Sequence, residues 1–408
     1  MNCRHCSAPL ALSLLDLGSS PPSNAYLTAE SLRAPEAWYP LRLLVCERCW
    51  LVQTEEFAAR EALFTADYAY FSSVSESWLA HSRHFVEQAA RRFALGAASR
   101  VAEVAANDGY LLQYVRAAGI PCYGVEPTAH TAQAARARGI DIVQAFFGTQ
   151  LADELARAGR QVDLAVANNV LAHVPDINDF VAGFARLLQP EGVASFEFPH
   201  LMRMLAGRQF DTAYHEHFSY LSLGSVCTVF AANGLAVFDV EELPTHGGSL
   251  RVFAQRSDVG RRPVLPAVAA LLDAERAAGM RSAQYYRSFQ AQAERVKDDF
   301  LSFLLDARRR GARVAAYGAA AKGNTLLNFA GVRADLLPYV VDRAPAKQGR
   351  YMPGSRIPIV DEARLWADRP DYVVLLPWNL RDELAQQLAG VRDWGGRFVV
   401  AVPQLETW

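Results

Sequence analysis

The chain has 408 residues, half of them hydrophobic (51%) and 21% charged, a core-forming composition in a length that exceeds one core. At roughly 150 residues per domain, two or three domains are expected. Forty-one Lys and Arg against 43 Asp and Glu leave a net charge of −2, which argues against nucleic-acid or anionic-membrane partners. No apolar run reaches the ~20 residues of a membrane span. The start, MNCRHCSAPL, shows no charged and then apolar leader, so a soluble, cytoplasmic protein is expected.

Four of the six cysteines form two Cys-x-x-Cys pairs, Cys3/Cys6 and Cys46/Cys49. Two such turns complete a tetrahedral sulfur shell for zinc, with no open position for water or substrate, so the expected role is structural. In a cytosolic chain such cysteines are more often metal ligands than disulfides, although a redox pair stays open. The second turn follows an apolar strand at Leu41–Val45. Cys122 and Cys227 read as buried core thiols.

A polar-aromatic cluster follows, Tyr68-Ala-Tyr70-Phe-Ser-Ser73-Val-Ser75, with a helix from Glu76 that can lay it over a pocket. An ordinary Ser-capped helix start is the alternative. From residue 99 strands and helices alternate: a strand over 99–106 ending in Asn107-Asp108-Gly109, a helix over 110–118 and a strand over 121–127. This begins a doubly wound parallel sheet, which binds ligands beyond the carboxyl ends of its strands. A dinucleotide site would show G-x-G-x-x-G, but Ala105-Ala-Asn107-Asp108-Gly109 offers one glycine. Glu126 closes the second strand, where a carboxylate can accept both ribose hydroxyls, and the acidic Glu103 and Asp108 suit a cationic ligand. These residues resemble the nucleoside-binding edge of class I S-adenosylmethionine (SAM) methyltransferases, with a Rossmann-type dehydrogenase still open. Phe147 can cover an adenine or pack in the core. The fourth strand, 161–169, ends at Asn168, a cofactor candidate, and leads to Asn169 and His173 on the substrate side. The fifth strand is 192–199.

Asp211-Thr-Ala-Tyr214-His215-Glu216-His217-Phe-Ser-Tyr220 is the densest polar-aromatic stretch. Histidine accepts a proton near neutral pH, a carboxylate can orient it, and a phenol can hydrogen-bond an oxyanion. Metal binding by His-x-His and a structural network stay open. Segments 235–241 and 248–254 read as a terminal hairpin, and 264–310 as connecting helices. A second α/β unit starts at Arg313-Val-Ala-Ala-Tyr-Gly318. Its turn into a helix carries Lys322 and Asn324, an anion seat but not a Walker A loop. The basic loop Lys347-Gln-Gly-Arg350-Tyr351 suits a diphosphate, and His246-Gly-Gly-Ser-Leu-Arg251 is placed opposite it.

Taken in order, the Cys-x-x-Cys pairs, Tyr-x-Tyr-Phe-Ser-Ser, Asn-Asp-Gly-Tyr-Leu-Leu, Tyr-His-Glu-His-Phe-Ser-Tyr-Leu-Ser, His-Gly-Gly-Ser-Leu-Arg and Tyr-Gly-Ala-Ala-Ala-Lys-Gly-Asn-Thr resemble the SAM-dependent nucleotide-deoxysugar C-methyltransferases. The resemblance covers essentially the whole chain. It implies an α/β protein with a zinc-binding domain (1–66), a class I SAM methyltransferase domain (67–257), connecting helices (258–311) and a Rossmann-like C-terminal domain (312–408) contributing to nucleotide-sugar binding. It implies SAM and structural zinc as cofactors and a thymidine-diphosphate (dTDP) 4-keto-deoxysugar as acceptor. His217 would be the base that forms an enolate, with Tyr214, Glu216 and Tyr70 beside it, and Glu216 would position His217 or a sugar hydroxyl. Ala105 departs from the glycine many SAM proteins carry. A monomer is expected, since one chain can complete the pocket. Rival readings are an O- or N-methyltransferase and a zinc-ribbon protein that senses SAM or a nucleotide sugar.

Overall fold

The computed structural model describes residues 1–55, 57 and 71–408. An antiparallel sheet opens the chain: β1 (Leu12–Ser20), β2 (Tyr39–Val45) and β3 (Val52–Thr54). Alternation sends Leu41, Leu43 and Val45 inward from β2. The two Cys-x-x-Cys turns sit at the ends of this sheet. Ser7 and Trp50, each just past a turn, take a left-handed backbone.

The helix Glu76–Arg92 is capped by Ser75, whose side chain accepts from the Trp78 amide. The large central sheet follows: β4 (Val101–Val104), β5 (Cys122–Val125), β6 (Ile142–Val143), β7 (Val162–Asn168), β8 (Leu188–Pro199), β10 (Leu235–Leu243) and β11 (Ser249–Arg256), with β9 (Ser219–Tyr220) lying elsewhere. Its order is β10-β11-β8-β7-β4-β5-β6. The five strands from β8 to β6 are parallel, and the β10–β11 hairpin closes the edge in antiparallel fashion. The parallel strands are near-continuous apolar runs because helices cover both faces. Cys122 and Cys227 are half-buried, not core thiols, since each packs only at the margin of its cluster.

Helices Pro266–Ala277, Ala283–Arg287 and Phe289–Arg309 lead to a third sheet. Its strands are β12 (Val314–Tyr317), β13 (Val340–Val341), β14 (Ile359–Val360), β15 (Tyr372–Leu375), β16 (Arg397–Val400) and β17 (Glu406–Thr407), in the order β14-β13-β12-β15-β16-β17. All pairs are parallel except the last. Among the described residues no helix is long and apolar enough to cross a membrane.

Two features place the site. β9, from far along the chain, adds to β3 as the fourth strand of the first sheet, so the N-terminal sheet anchors the segment that precedes β9. Both parallel sheets also reverse their winding at a central strand, β4 in one and β12 in the other. Ligands bind at such switch points, beyond the carboxyl ends of the strands. Here the two switch points open on the same cavity.

Candidate active site

The four cysteine sulfurs lie within 4.8 Å of one another, with Cys3–Cys49 at 3.6 Å, Cys6–Cys46 at 3.5 Å and Cys6–Cys49 at 3.7 Å. A zinc–sulfur bond of about 2.3 Å implies tetrahedral edges of about 3.8 Å, so the set fits a closed zinc site. Gln53 donates to Cys3 Sγ at 3.3 Å, and His5 is turned away to Asn178 at 2.7 Å. Among the described residues this is the only cluster of three or more metal-ligating side chains, and His215 and His217 do not converge on one.

The main cavity measures about 620 Å³. On the central-sheet side its wall is Ala105 and Asn107 after β4, Glu126 after β5, Phe147 after β6 and Asn168 at the end of β7. Glu126 accepts from the backbone amides of Asn107 and Thr128, each at 2.9 Å, which fixes its carboxylate at the rim. Ala105 has φ of 59°, the conformation that explains a glycine preference there; alanine adopts it at a cost. Asn168 Oδ1 is buried without a hydrogen-bond partner. A rim carboxylate for ribose hydroxyls, an aromatic face and an unsatisfied amide oxygen together fit SAM. Glu103 and Asp108 lie outside the lining. Glu103 is fully buried on β4, which pushes its carboxyl well up, while Asp108 accepts from Ser73 and pairs with Arg138 at 3.3 Å.

The segment Phe210–His217 forms the middle of the wall. His217 is 8% exposed, and its Nδ1–H donates to the Thr212 carbonyl at 3.1 Å. That fixes the tautomer and leaves Nε2 with a lone pair. Burial, then the neighbouring His173, hold its pKa well below the usual value, so the ring is neutral. Tyr214 lies over it, ring centroids 3.9 Å apart, and His173 meets it edge-on at 4.6 Å. Thr54 of β3 grips the His217 carbonyl. His215 faces the other way, hydrogen-bonded to the Pro40 carbonyl at 3.2 Å. Glu216 does not orient His217: both its oxygens accept from Asn24 Nδ2, at 2.8 and 2.9 Å. Burial lifts the Glu216 carboxyl to about 7, against the pull of that amide. Tyr70 lies outside the described residues.

The third sheet supplies a basic wall: Lys322 after β12, Lys347 and Arg350 after β13, and Asn379 after β15. Lys322 Nζ donates to Asn379 at 2.7 Å and sits over the Trp378 ring, and burial lowers its pKa. Asp211, which accepts from Trp378 Nε1 at 2.7 Å, is lifted to about 6 by burial. Lys347 donates to the Ala319 carbonyl and lies 5.4 Å from the Tyr26 ring centre.

Four residues expected at the substrate side lie off the cavity lining. Arg251 on β11 stands in register between Glu197 of β8 and Glu241 of β10, and its guanidinium is spent on Glu197 at 2.6 Å, so it is no diphosphate ligand. Asn324 is fully buried inside its helix, accepting from Asn328. Tyr351 pairs its backbone with Leu27 and Pro358. Ser73 faces Asp108 and Arg138. Asn169, His173 and His246 do reach the lining. Sequence reasoning missed Asn24, Tyr26, Trp78 and Asn379; the only hint was the stiff, polar Ser-Pro-Pro-Ser-Asn-Ala-Tyr run.

A seven-stranded sheet in this order, with an acidic rim residue after its second strand, is a class I SAM-dependent methyltransferase fold. Family models match the chain as a "Putative zinc binding domain" over residues 3–64, a "Methyltransferase domain" over 78–240 and a "C-methyltransferase C-terminal domain" over 244–403. The chain is 36% identical to the C-methyltransferase NovU of Streptomyces niveus over 402 residues, 98% of this chain and 95% of the relative. It belongs to the SAM-dependent C-methyltransferase family, with SAM as cofactor and zinc at the cysteine cluster. Among solved structures, the magnesium protoporphyrin IX methyltransferase of Synechocystis PCC 6803, with bound S-adenosylhomocysteine, is 15% identical, covering 44% of this chain and 83% of that one at a TM-score of 0.35. A SAM-dependent methyltransferase from Clostridium acetobutylicum ATCC 824 is 10% identical, covering 45% and 92% at a TM-score of 0.36.

Proposed function

We propose that the protein methylates a ring carbon, C3, of a dTDP-linked 4-keto-deoxysugar, with His217 as the general base. The observation that carries this reading is the state of His217: neutral, held through Nδ1 by Thr212, with Nε2 unprotonated in a cavity that has a nucleoside rim on one side and a basic wall on the other. A ring C–H is acidic enough for an imidazole only beside a carbonyl, which is why the acceptor carries a 4-ketone.

His217 Nε2 takes the C3 proton, and the electron pair moves into the C4 carbonyl as an enolate. Tyr214, its ring tilted against the base, is assigned to hydrogen-bond that oxygen, with Tyr70 as its partner from the sequence resemblance. Glu126, Asn107, Asn168 and Phe147 are assigned to hold SAM, which when bound supplies an electrophilic methyl group on a sulfonium sulfur. Asn169, His173 and His246 border the sugar. Lys322, Lys347 and Arg350 take the diphosphate, with two of the three already held by protein partners. Orienting carbon and methyl in one dry cavity lowers the barrier as much as the proton transfer does.

The test is methyl transfer to dTDP-4-keto-6-deoxyglucose in deuterium oxide, comparing wild type with His217→Asn by mass and NMR. A new C–CH3 signal in the product and deuterium at C3 of the unmethylated sugar in wild type, both lost in the variant, are the expected result. An O–CH3 or N–CH3 product, or near-normal turnover by the variant, overturns the acceptor or the base respectively.

A further inference from the structure

The loop between β1 and β2 belongs to the zinc-bearing sheet, yet it is pinned to the third sheet and its helix. Leu27 exchanges both backbone hydrogen bonds with Tyr351, each at 2.9 Å. Tyr26 donates to the Ala319 carbonyl at 2.6 Å. Ser23 lies 3.5 Å from Thr325, whose hydroxyl donates to the Ala213 carbonyl of the catalytic segment at 2.9 Å. Pro21 and Pro22 stiffen the approach, since each fixes its own φ. Asn24 is therefore clamped between these anchors, and its amide reaches both oxygens of a carboxylate 192 residues away. Glu216 is 3% exposed, and among the described residues Asn24 is its only side-chain hydrogen-bond partner.

We infer that Asn24 is the positioning residue for Glu216, setting the direction and the charge of the carboxylate beside His217 through a loop seated on the C-terminal module. The inference rests on Glu216 acting on a sugar hydroxyl in the reaction, the role the sequence resemblance implies for it. An amide N–H can only donate, so Asn24 favours the ionised carboxylate that burial disfavours. The other titratable groups facing the pair are Tyr26 on the same loop, His173 after β7, and His217 and Lys322 across the cavity. Burial lifts the phenol and lowers both imidazoles, and it lowers the Lys322 amine against the pull of Asp211. With its carboxyl lifted to about 7, Glu216 titrates between pH 6 and 8.

The experiment compares wild type, Asn24→Ala, Asn24→Asp and Glu216→Gln. Methyl transfer to dTDP-4-keto-6-deoxyglucose gives kcat and KM, and the infrared carboxyl band that disappears in Glu216→Gln reports the protonation of Glu216 without any substrate. Asn24→Ala is expected to lower kcat roughly ten- to a hundredfold with KM little changed, the size of a lost hydrogen bond to a charged group. Its Glu216 band should titrate at least about one pH unit higher than in wild type. Asn24→Asp should be impaired at pH 8 and recover toward pH 6, where one proton shared by the two carboxyls restores a donor. An unmoved carboxyl titration in Asn24→Ala overturns the inference, as does a normal kcat in that variant when Glu216→Gln is impaired. Normal turnover by Glu216→Gln instead removes the underlying assignment of Glu216.

Discussion

Asn169 and His246 both hold a left-handed backbone, φ 52° and 55°, and meet across the cavity where Asn169 Nδ2 donates to His246 Nε2 at 3.2 Å. Because Nε2 accepts, the His246 proton sits on Nδ1, which makes the ring a donor. Burial lowers its pKa to about 4, so it stays neutral. Non-glycine residues in this conformation cost about 1 kcal/mol or more each, and such strain gathers at functional sites. Here it turns two side chains into the space beside Trp78, whose ring lies 5.4 Å from that of His246.

Replacing His246 with glycine separates strain from function. Glycine relieves the backbone but adds chain entropy to the unfolded state, and the two roughly offset. Unfolding free energy should stay within about 1 kcal/mol of wild type, while turnover falls at least about tenfold, the effect of one lost hydrogen-bond donor. Denaturant melts beside steady-state kinetics check it. A variant that is fully active would show that the ring only fills space.

Arg251 supplies a second separation. Burial alone would raise the Glu197 carboxyl, but His81 and Arg251 overcome it and hold its pKa below the ordinary value. Thr245 also donates to Glu197 at 3.0 Å, so this pair ties the helix carrying Trp78 to the loop carrying His246. Arg251→Met deprives a buried carboxylate of its guanidinium partner and should cost about 3 kcal/mol of stability. Below the lowered melting temperature, KM for the nucleotide sugar should barely change, whereas Lys347→Ala should raise it about tenfold with stability nearly intact. Equal KM effects from the two variants would return Arg251 to the diphosphate site.

The zinc site is tied to the segment carrying His217 through one short sheet. β3 lies between the strand leading to Cys46 and β9, and Arg4 beside Cys3 donates to the Thr54 carbonyl at 2.9 Å. Removing zinc should therefore loosen the segment that holds His217. Cys49→Ser should lose metal, measured by elemental analysis, and with it most methyl transfer, because binding energy at such a site is folding energy. His5→Ala should keep one zinc per chain, since His5 is engaged by Asn178. Zinc loss in His5→Ala would sink the all-sulfur ligand set.

Most strands of both parallel sheets were legible because they hold apolar runs, such as residues 164–167 within Val162–Asn168, bounded by turn residues. Glu126, Asn168 and His217 were legible for the same reason: each sits at or near a strand end or in a dense polar cluster. Two-residue strands such as β9 and β14 carry too few side chains for any periodicity. Arg251 misled because its motif, His-Gly-Gly-Ser-Leu-Arg, joins a residue on the cavity to one in the sheet interior five positions later. The chain passes from the loop into β11 between them, and only the pairing with Glu197 shows where Arg251 goes. Asn24 was invisible because its role exists only through a partner far along the chain. Chain-local patterns cannot specify a contact of that range.

His173 links the site to the pH dependence of stability. Burial lowers its pKa to about 4 from an ordinary value of 6.5. The unfolded imidazole therefore takes a proton at a higher pH than the native one. The stability that the neutral ring contributes is complete above pH 6.5 and is lost as the pH falls from 6.5 toward 4. Each such histidine adds at most about 1.4 kcal/mol per pH unit to the slope in that window; water in the cavity reduces the figure for this half-buried ring. Replacing His173 with glutamine should flatten the slope of unfolding free energy against pH between 4.5 and 6.5, leaving it unchanged above pH 7.5. Urea melts at half-unit intervals measure it. Glu216 and Asp211, whose carboxyls burial raises, act in the opposite sense by taking up protons in the native state first. For that reason the wild-type curve alone decides nothing, and the difference between wild type and variant carries the test: an unchanged slope would mean that His173 titrates normally in the folded protein.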